Sequence, residues 1–305
     1  MTFSRTRGAL AAAALTLALG PAQALELLVP AYFYPPVWDP AQRNMWREMQ
    51  QALSQGVAVT AILNPGSGPG TAQDPNYLSA VNDFRAAGGR VLGYVYTCYG
   101  TDQCAVAGEQ RSAATVLAQA ERYAEFYPVD GIFLDEMGGD AALAYYSTVS
   151  QALRSAHPDW QLVGNPGAPV PAASAALVDT VMSFEQGRGD YSNTAPAEPW
   201  MLSAAPARQA HIHYNVASAD QMRGLLAQAV ARRAGYIYIT DDRYLPGSAV
   251  DTNPFDVLPS YWAEEVQAIR AINAAAVPEP ATWALWLLGL AGLVGAAGRR
   301  PGGRA

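Results

Sequence analysis

Eight short apolar runs alternate with eight stretches of helical pattern between residues 25 and 276, and this alternation restricts the fold more than any other feature. A strand, a helix and a second strand in succession favour parallel pairing, because the helix returns the chain to the same edge of the sheet. Eight such units over roughly 250 residues match a (β/α)8 barrel in count and length. The sequence therefore predicts a single α/β domain, a TIM-type barrel. An open doubly wound sheet is the alternative, but it would not place polar residues after nearly every strand.

The predicted strands are residues 25–34, 57–63, 90–97, 131–135, 160–164, 180–184, 209–214 and 235–240. The predicted helical segments are residues 43–54, 77–87, 112–126, 140–156, 174–177, 200–204, 219–233 and 255–274. In such a barrel, functional side chains collect at the C-terminal ends of the strands. A functional site is therefore expected among the residues that end or follow each strand.

The fourth predicted strand ends in two adjacent carboxylates, Asp135 and Glu136. Asp135 could simply cap the next helix, but a cap accounts for one acid and not for the pair. The sixth strand leads to Glu185, and strict alternation turns Val181, Ser183 and Glu185 toward the barrel interior. Strands two apart lie roughly 9–10 Å from each other, so the side chains can approach to the ~5–9 Å of glycosidase carboxylate pairs. The pattern predicts Asp135, Glu136 and Glu185 as catalytic acids.

Aromatic and polar side chains end the other predicted strands. Sugars stack their apolar faces on aromatic rings, while amides and carboxylates bind their hydroxyls. The chain has 16 tyrosines and only 7 phenylalanines, which favours a polar aromatic site, although each tyrosine taken singly could belong to the core. The predicted substrate-binding residues are Tyr32, Tyr34, Asn64, Tyr94, Tyr96, Asn165, His213, Tyr238 and Asp241.

His211 and His213 are the only closely spaced histidines, and such a pair at a strand end can bind a metal. The third histidine, His157, belongs to a helix-to-strand connection at the opposite end of the barrel, so we predict no metal site and no cofactor. The chain has no lysine, which excludes Schiff-base chemistry and a Walker-type phosphate site.

Both ends of the chain have the pattern of targeting segments. Residues 1–24 contain Arg5, Arg7, an apolar run and a small-residue cleavage site, which is the layout of a secretory signal peptide. Residues 277–305 contain Pro-Glu-Pro, an apolar segment and an arginine cluster, which an ordinary membrane anchor would also have. This tail resembles the PEP-CTERM sorting signals of Gram-negative bacteria. The resemblance implies exosortase-type processing, transient contact with the inner membrane, and a secreted or cell-surface protein associated with exopolysaccharide.

Charge and cysteine content agree with an exported protein that does not bind nucleic acid. Without the two end segments, 14 of the 19 basic and 25 of the 26 acidic residues remain, a net charge of −11 that repels nucleic acid. Cys98 and Cys104 enclose a short loop, which favours a disulfide in an exported chain. Free thiols or a catalytic cysteine are the alternatives, but no histidine lies nearby in the sequence.

Six ordered motifs together resemble the spherulin-4 family over residues 25–272. They lie at residues 29–35 (VPAYFYP), 62–68 (ILNPGSG), 91–96 (VLGYVY), 130–136 (DGIFLDE), 164–167 (GNPG) and 184–185 (FE). The family is similar to barrel-fold hydrolases of galactosamine and N-acetylgalactosamine polysaccharides. The resemblance implies that the acids after strands four and six, here Asp135, Glu136 and Glu185, are essential.

The expected function is therefore that of an exported, endo-acting glycosidase of a hexosamine-containing exopolysaccharide. An acidic rim would favour a partly deacetylated, cationic polymer. One alternative is a non-catalytic carbohydrate-binding or matrix protein, because fold does not determine function. A metal-dependent polysaccharide deacetylase that uses His211 and His213 is the other.

Overall fold

The computed structural model describes residues 24–101, 111–187, 191, 197–250 and 253–276. Within these ranges, eight parallel strands form a closed barrel in chain order. The prediction of a (β/α)8 barrel is confirmed. The alternative of an open sheet is wrong, because the last strand pairs with the first, with Glu26 opposite Tyr236.

The strands are β1 Glu26–Ala31, β2 Val59–Leu63, β3 Arg90–Tyr96, β4 Gly131–Asp135, β5 Gln161–Asn165, β6 Thr180–Gln186, β7 Gln209–His213 and β8 Tyr236–Ile239. The α-helices are α1 Met45–Ser54, α2 Pro75–Ala86, α3 Ala113–Phe126, α4 Leu143–Ala156, α5 Ala172–Ala175, α6 Pro199–Ser203, α7 Ala219–Ala231 and α8 Trp262–Ala276. The helices after β5 and β6 are single turns. None of the helices in the described part of the chain has the length and apolar character needed to cross a bilayer.

Local sequence signals account for the helix starts and for one close strand contact. Asp74 caps α2 by accepting hydrogen bonds from two backbone N–H groups. Ser112 and Ser218 cap α3 and α7, each by accepting from one backbone N–H group. At the start of β4, a Cβ atom on Gly131 would lie only 2.0 Å from the backbone oxygen of Gln161. Glycine is therefore required where β4 and β5 approach each other.

A polar layer closes the N-terminal end of the barrel interior. The Arg90 guanidinium donates to the Tyr236 hydroxyl (2.9 Å) and to the Glu26 carboxylate (2.8 Å), and the Gln161 amide donates to the same hydroxyl (3.2 Å). Further along the barrel, Phe133 is buried and stacks at 6.3 Å on Tyr94. The candidate site therefore lies above a filled interior, at the C-terminal ends of the strands.

A bulge in β6 corrects one prediction about side-chain direction. Met182 lies opposite Ala210 and Phe184 lies opposite His211, so Ser183 is an extra residue between them. The Ser183 hydroxyl hydrogen-bonds His211 in the outer layer (3.1 Å). Strict alternation predicts both Val181 and Ser183 in the interior, which is wrong for both because the bulge interrupts the alternation.

Candidate active site

Asn165, at the end of β5, lies between the carboxylates that end β4 and β6. Its Nδ2 donates to Asp135 Oδ1 (2.7 Å) and to Glu185 Oε2 (2.6 Å), and its Oδ1 accepts from the backbone N–H of Gly167 (2.9 Å). Because one nitrogen donates to both acids, the two accepting oxygens are at most about 5.3 Å apart, which is the sum of the two hydrogen-bond distances. The structure thus brings two predicted acids and one predicted amide into a single hydrogen-bonded unit.

Both carboxylate oxygens of Asp135 accept hydrogen bonds from neutral donors. Oδ1 accepts from Asn165, and Oδ2 accepts from the Tyr94 hydroxyl (2.7 Å). Burial raises the pKa of Asp135, and the hydrogen bonds from Tyr94 and Asn165 lower it and partly offset the effect of burial. These donors orient the Asp135 carboxylate and stabilise its charged form.

Glu185 has a different electrostatic environment. Burial, and then the nearby charge of Asp135, raise the pKa of Glu185 to about 7, while the hydrogen bond from Asn165 opposes the shift. The two acids therefore differ in how readily they hold a proton, because Tyr94, Asn165 and the backbone N–H of Glu136 all lower the pKa of Asp135, whereas for Glu185 the lowering hydrogen bond comes from Asn165. Carboxylates in unlike environments are the usual arrangement for separate acid and base roles.

Glu136 is the third acid of the site and has an unusual backbone conformation. Its φ is +50°, a region that non-glycine residues seldom adopt and that is concentrated at functional sites. Its carbonyl accepts from the backbone N–H of Tyr99 (2.7 Å). Burial raises the pKa of Glu136, and a hydrogen bond from Tyr96 lowers it and partly offsets the effect of burial.

A cavity of about 230 Å³ brings these groups to one surface. Its lining residues are Tyr99, Asp135, Glu136, Asn165, Pro166, Gly167 and Glu185. All three predicted acids line it, together with the predicted amide Asn165. Tyr99 is 52% exposed and was missed by the sequence analysis, although its position directly after β3 was the available signal.

Tyr32 and Tyr94 form an aromatic wall beside the acids. Their rings meet edge to face at 5.6 Å, and Phe255 lies edge to face with Tyr32 at 5.7 Å. The sequence pattern predicts Phe255 at the start of the last helix, but that helix begins at Trp262. Phe255 therefore belongs to the loop after β8 and covers this part of the barrel mouth.

Two predicted substrate-binding residues instead hold their own loops. Asn64 Oδ1 accepts from the backbone N–H of Gly68 (2.9 Å), which closes the loop after β2. Asp241 Oδ1 accepts from the backbone N–H of Ser260 (3.0 Å), which fastens the segment before α8. Both contacts are structural, and neither joins these side chains to the acids.

Two other tyrosines lie apart from the acids for opposite reasons. Tyr238 is fully buried, with its ring 6.3 Å from that of Phe255, so its predicted contact with substrate is corrected to a core position. Tyr34 is 43% exposed, and its hydroxyl donates to Asp74 (2.8 Å) at the start of α2.

The histidine pair faces away from the acids. His211 lines a second cavity, of about 240 Å³, with Met201 of α6 and Arg232 at the end of α7, so this side of β7 faces the helix layer. Burial, followed by the charge of Arg232, lowers the pKa of His211 to about 3. His213, two residues further on the same side of β7, is fully buried, with its ring 4.5 Å from Phe184. The prediction that His213 binds substrate is corrected, because the sequence located the end of β7 but not the side to which its residues turn.

Within the described ranges, no group of three or more His, Cys, Asp or Glu side chains has an arrangement that could hold a metal ion. The structure therefore offers no support for a site built on the histidine pair.

The loop after β3 connects a cysteine to the acids. Cys98 is disulfide-bonded, and its predicted partner Cys104 lies outside the described residues. Cys98 and Tyr99 both have positive φ, at 50° and 55°. The backbone of Tyr99 is hydrogen-bonded to that of Glu136. The disulfide-bonded Cys98, the residue before Tyr99, therefore anchors the chain directly beside Glu136.

Comparisons with known proteins agree with this architecture. Residues 26–269 match the model of spherulation-specific family 4, and residues 276–300 match the PEP-CTERM protein-sorting motif. Spherulin-4 of Physarum polycephalum is 30% identical over 260 residues, which cover 82% of this chain and 71% of that protein. The sorting motif indicates export and a surface or secreted location.

Two solved structures have the same fold at low sequence identity. The crystal structure of Aspergillus clavatus Sph3 in complex with GalNAc has a TM-score of 0.63 and 24% identity, and the match covers 81% of this chain and 98% of that one. A chitinase from Bacteroides thetaiotaomicron has a TM-score of 0.50 and 7% identity, with coverage of 84% and 99%.

Proposed function

Because this chain belongs to spherulation-specific family 4, we propose that it is an exported glycoside hydrolase that cleaves exopolysaccharide containing galactosamine or N-acetylgalactosamine. The observation that carries the proposal is that the carboxylates of Asp135 and Glu185 accept hydrogen bonds from the same amide nitrogen, that of Asn165. The GalNAc bound to Aspergillus clavatus Sph3 supports the sugar class. The sorting motif supports export and exosortase-type processing of residues 277–305 at the inner membrane. The proposal includes removal of residues 1–24 as a signal peptide, which rests on their sequence pattern.

The spacing of the acids favours a retaining mechanism. Carboxyl groups of retaining glycosidases lie roughly 5–5.5 Å apart, whereas inverting enzymes need roughly 6.5–9.5 Å to admit a water molecule. The nearest oxygens of Asp135 and Glu185 are at most about 5.3 Å apart. This separation suits direct attack on the sugar by one carboxylate.

The different environments of the two acids support separate roles for them. Glu185, with a pKa of about 7, donates its proton to the glycosidic oxygen as the bond between that oxygen and the anomeric carbon breaks. Asp135, held by Tyr94 and Asn165, forms a bond to the same carbon. Glu185, now anionic, then takes a proton from water, whose oxygen displaces Asp135 and releases the sugar.

Glu136 assists by binding substrate. It lines the same cavity as the reacting pair but is not bonded to Asn165, so a third carboxylate faces the sugar. Its charge would attract the ammonium group of a deacetylated unit and would favour a partly cationic polymer. Tyr32, Tyr94 and Tyr99 supply the aromatic surface of the cleft, and Tyr96 supports Glu136.

The test is incubation of the purified protein with exopolysaccharides that contain galactosamine or N-acetylgalactosamine, with released oligosaccharides followed by mass spectrometry. Asp135→Asn and Glu185→Gln should each abolish release while the fold is kept. The matched control is Glu125→Gln, which removes an exposed carboxylate of α3 and should leave release unchanged. Internal cleavage would release oligosaccharides of several lengths. Binding without release from any polymer would refute the hydrolase and favour a carbohydrate-binding matrix protein.

A further inference from the structure

Two aromatic side chains project into solvent on the face of the barrel that carries the acids. Tyr34 and Trp38 follow β1, and they are 43% and 60% exposed. Their ring centroids are 5.6 Å apart, so the two rings form one surface, which we call the aromatic platform. Adjacent exposed aromatic rings are costly in water and usually mark a binding surface.

Polar and aromatic contacts hold one ring of the platform, that of Tyr34, in place. The Tyr34 hydroxyl donates to Asp74 Oδ2 (2.8 Å) and accepts from Asn76 Nδ2 (2.7 Å), and its ring lies edge to face with Tyr77 at 5.0 Å. Asp74 is itself fixed as the N-cap of α2. Because Tyr34 is ordered before any ligand binds, little conformational entropy is lost on binding.

The platform is adjacent in the chain to the aromatic wall of the active site. Tyr32 lies two residues before Tyr34, and its ring meets that of Tyr94, whose hydroxyl donates to Asp135. The intervening Phe33 is buried and packs against Trp46 of α1. The short segment after β1 therefore contributes one ring to the active-site wall and another to the platform.

The platform and the acids lie at opposite edges of the barrel mouth. Tyr34 follows β1 and contacts the start of α2, whereas the acids end β4 and β6. Strand spacing and barrel closure separate opposite edges by on the order of 15 Å. This is the length of several sugar units, so a single sugar at the acids could not also cover the platform.

We infer that Tyr34 and Trp38 form a distal sugar-binding subsite, which stacks a pyranose ring of the same polysaccharide several units from the cleaved bond. The inference rests on the proposed function for the identity of the polymer. Asp74 and Asn76, beside the ring of Tyr34, supply polar partners for the hydroxyl or amino groups of that sugar. Such a subsite makes binding depend on chain length and favours cleavage within a polymer.

The experiment measures binding without cleavage, in the Glu185→Gln background, by calorimetry with a disaccharide and an octasaccharide of N-acetylgalactosamine. Adding Trp38→Ala should weaken octasaccharide binding about tenfold, as expected for the loss of one stacking contact, and should leave disaccharide binding unchanged. Trp38→Tyr should restore most of the affinity. Leu202→Ala, at a 68% exposed apolar residue of α6, is the matched control and should have no effect.

Each other outcome overturns the subsite. The proposal is wrong if Trp38→Ala and its parent bind the octasaccharide with equal affinity, or if Trp38→Ala weakens the binding of the disaccharide and the octasaccharide equally. It is also wrong if no oligosaccharide binds at all. A change in oligomeric state with Trp38→Ala, seen by light scattering, would identify the platform as a contact between copies of this chain. Failure of the proposed function would be seen separately, as absence of cleavage by the unsubstituted protein.

Discussion

Glu185→Gln should make the protein more stable at alkaline pH, and the size of the effect follows from the burial of Glu185. A native pKa of about 7 against an ordinary value of 4.5 means that the folded protein keeps a proton that the unfolded chain has lost. The free energy of unfolding therefore falls as pH rises from about 4.5 to about 7, by at most about 3.5 kcal/mol at ~1.4 kcal/mol per pKa unit. Glutamine has no charge to desolvate, and it keeps the oxygen that accepts from Asn165.

The assay is thermal unfolding of both proteins at pH 5 and pH 8. A domain of this size loses roughly 2–4 °C of Tm per kcal/mol. About 2.5 kcal/mol of the change falls between pH 5 and pH 8, so the Tm advantage of Glu185→Gln should grow by about 5–10 °C between the two pH values. Glu125→Gln, on the exposed face of α3, should show no such growth.

The same Tm difference at pH 5 and pH 8 would refute the reasoning. It would mean that Glu185 is solvated well enough to ionise without cost. The assignment of Glu185 as the proton donor would then lose its physical basis, whatever the effect of the substitution on activity.

Three further predictions concern the reacting pair and the barrel. The profile of kcat/KM against pH should be bell-shaped, because Glu185 loses its proton above about pH 7 and Asp135 gains one at low pH. A profile that stays flat up to about pH 9 would contradict these roles. Tyr94→Phe removes a hydrogen bond to charged Asp135, so kcat should fall roughly tenfold. The low-pH side of the activity profile should also move to higher pH, because the pKa of Asp135 rises without this bond. A low-pH side that stays in place would show that this bond does not affect the pKa of Asp135. Gly131→Ala places a methyl group 2.0 Å from the backbone oxygen of Gln161 and should cost ~3 kcal/mol or more in thermal unfolding; an unchanged Tm would show that β4 and β5 can separate.

Much of the site was predictable because strand ends are readable in sequence. Short apolar runs that stop at polar residues located Asp135, Asn165 and Glu185, and barrel topology brings the ends of parallel strands to one face. Tyr94 followed from the same argument. Phe255 did not, because its loop has no periodic pattern and its position depends on packing against Tyr32.

Side-chain direction was less predictable than strand position. One extra residue in β6 leaves Ser183 and Phe184 both facing the outer layer and still turns Glu185 inward. On β7, His213 faces the helix layer because of its register against β6 and β8. A bulge or a register is a relation between two strands, so neither can be read from one strand alone.

The sequence by itself determined the number and order of the strands and helices and which chemical groups stand at the strand ends, since these depend on local hydrophobic periodicity. Only the tertiary structure decided that one amide bonds Asp135 and Glu185, that Glu185 is buried enough to hold a proton near pH 7, and that Tyr34 stands apart from both. Distances, burial and pKa values arise from contacts between residues far apart in the chain, and these exist only once the barrel has closed.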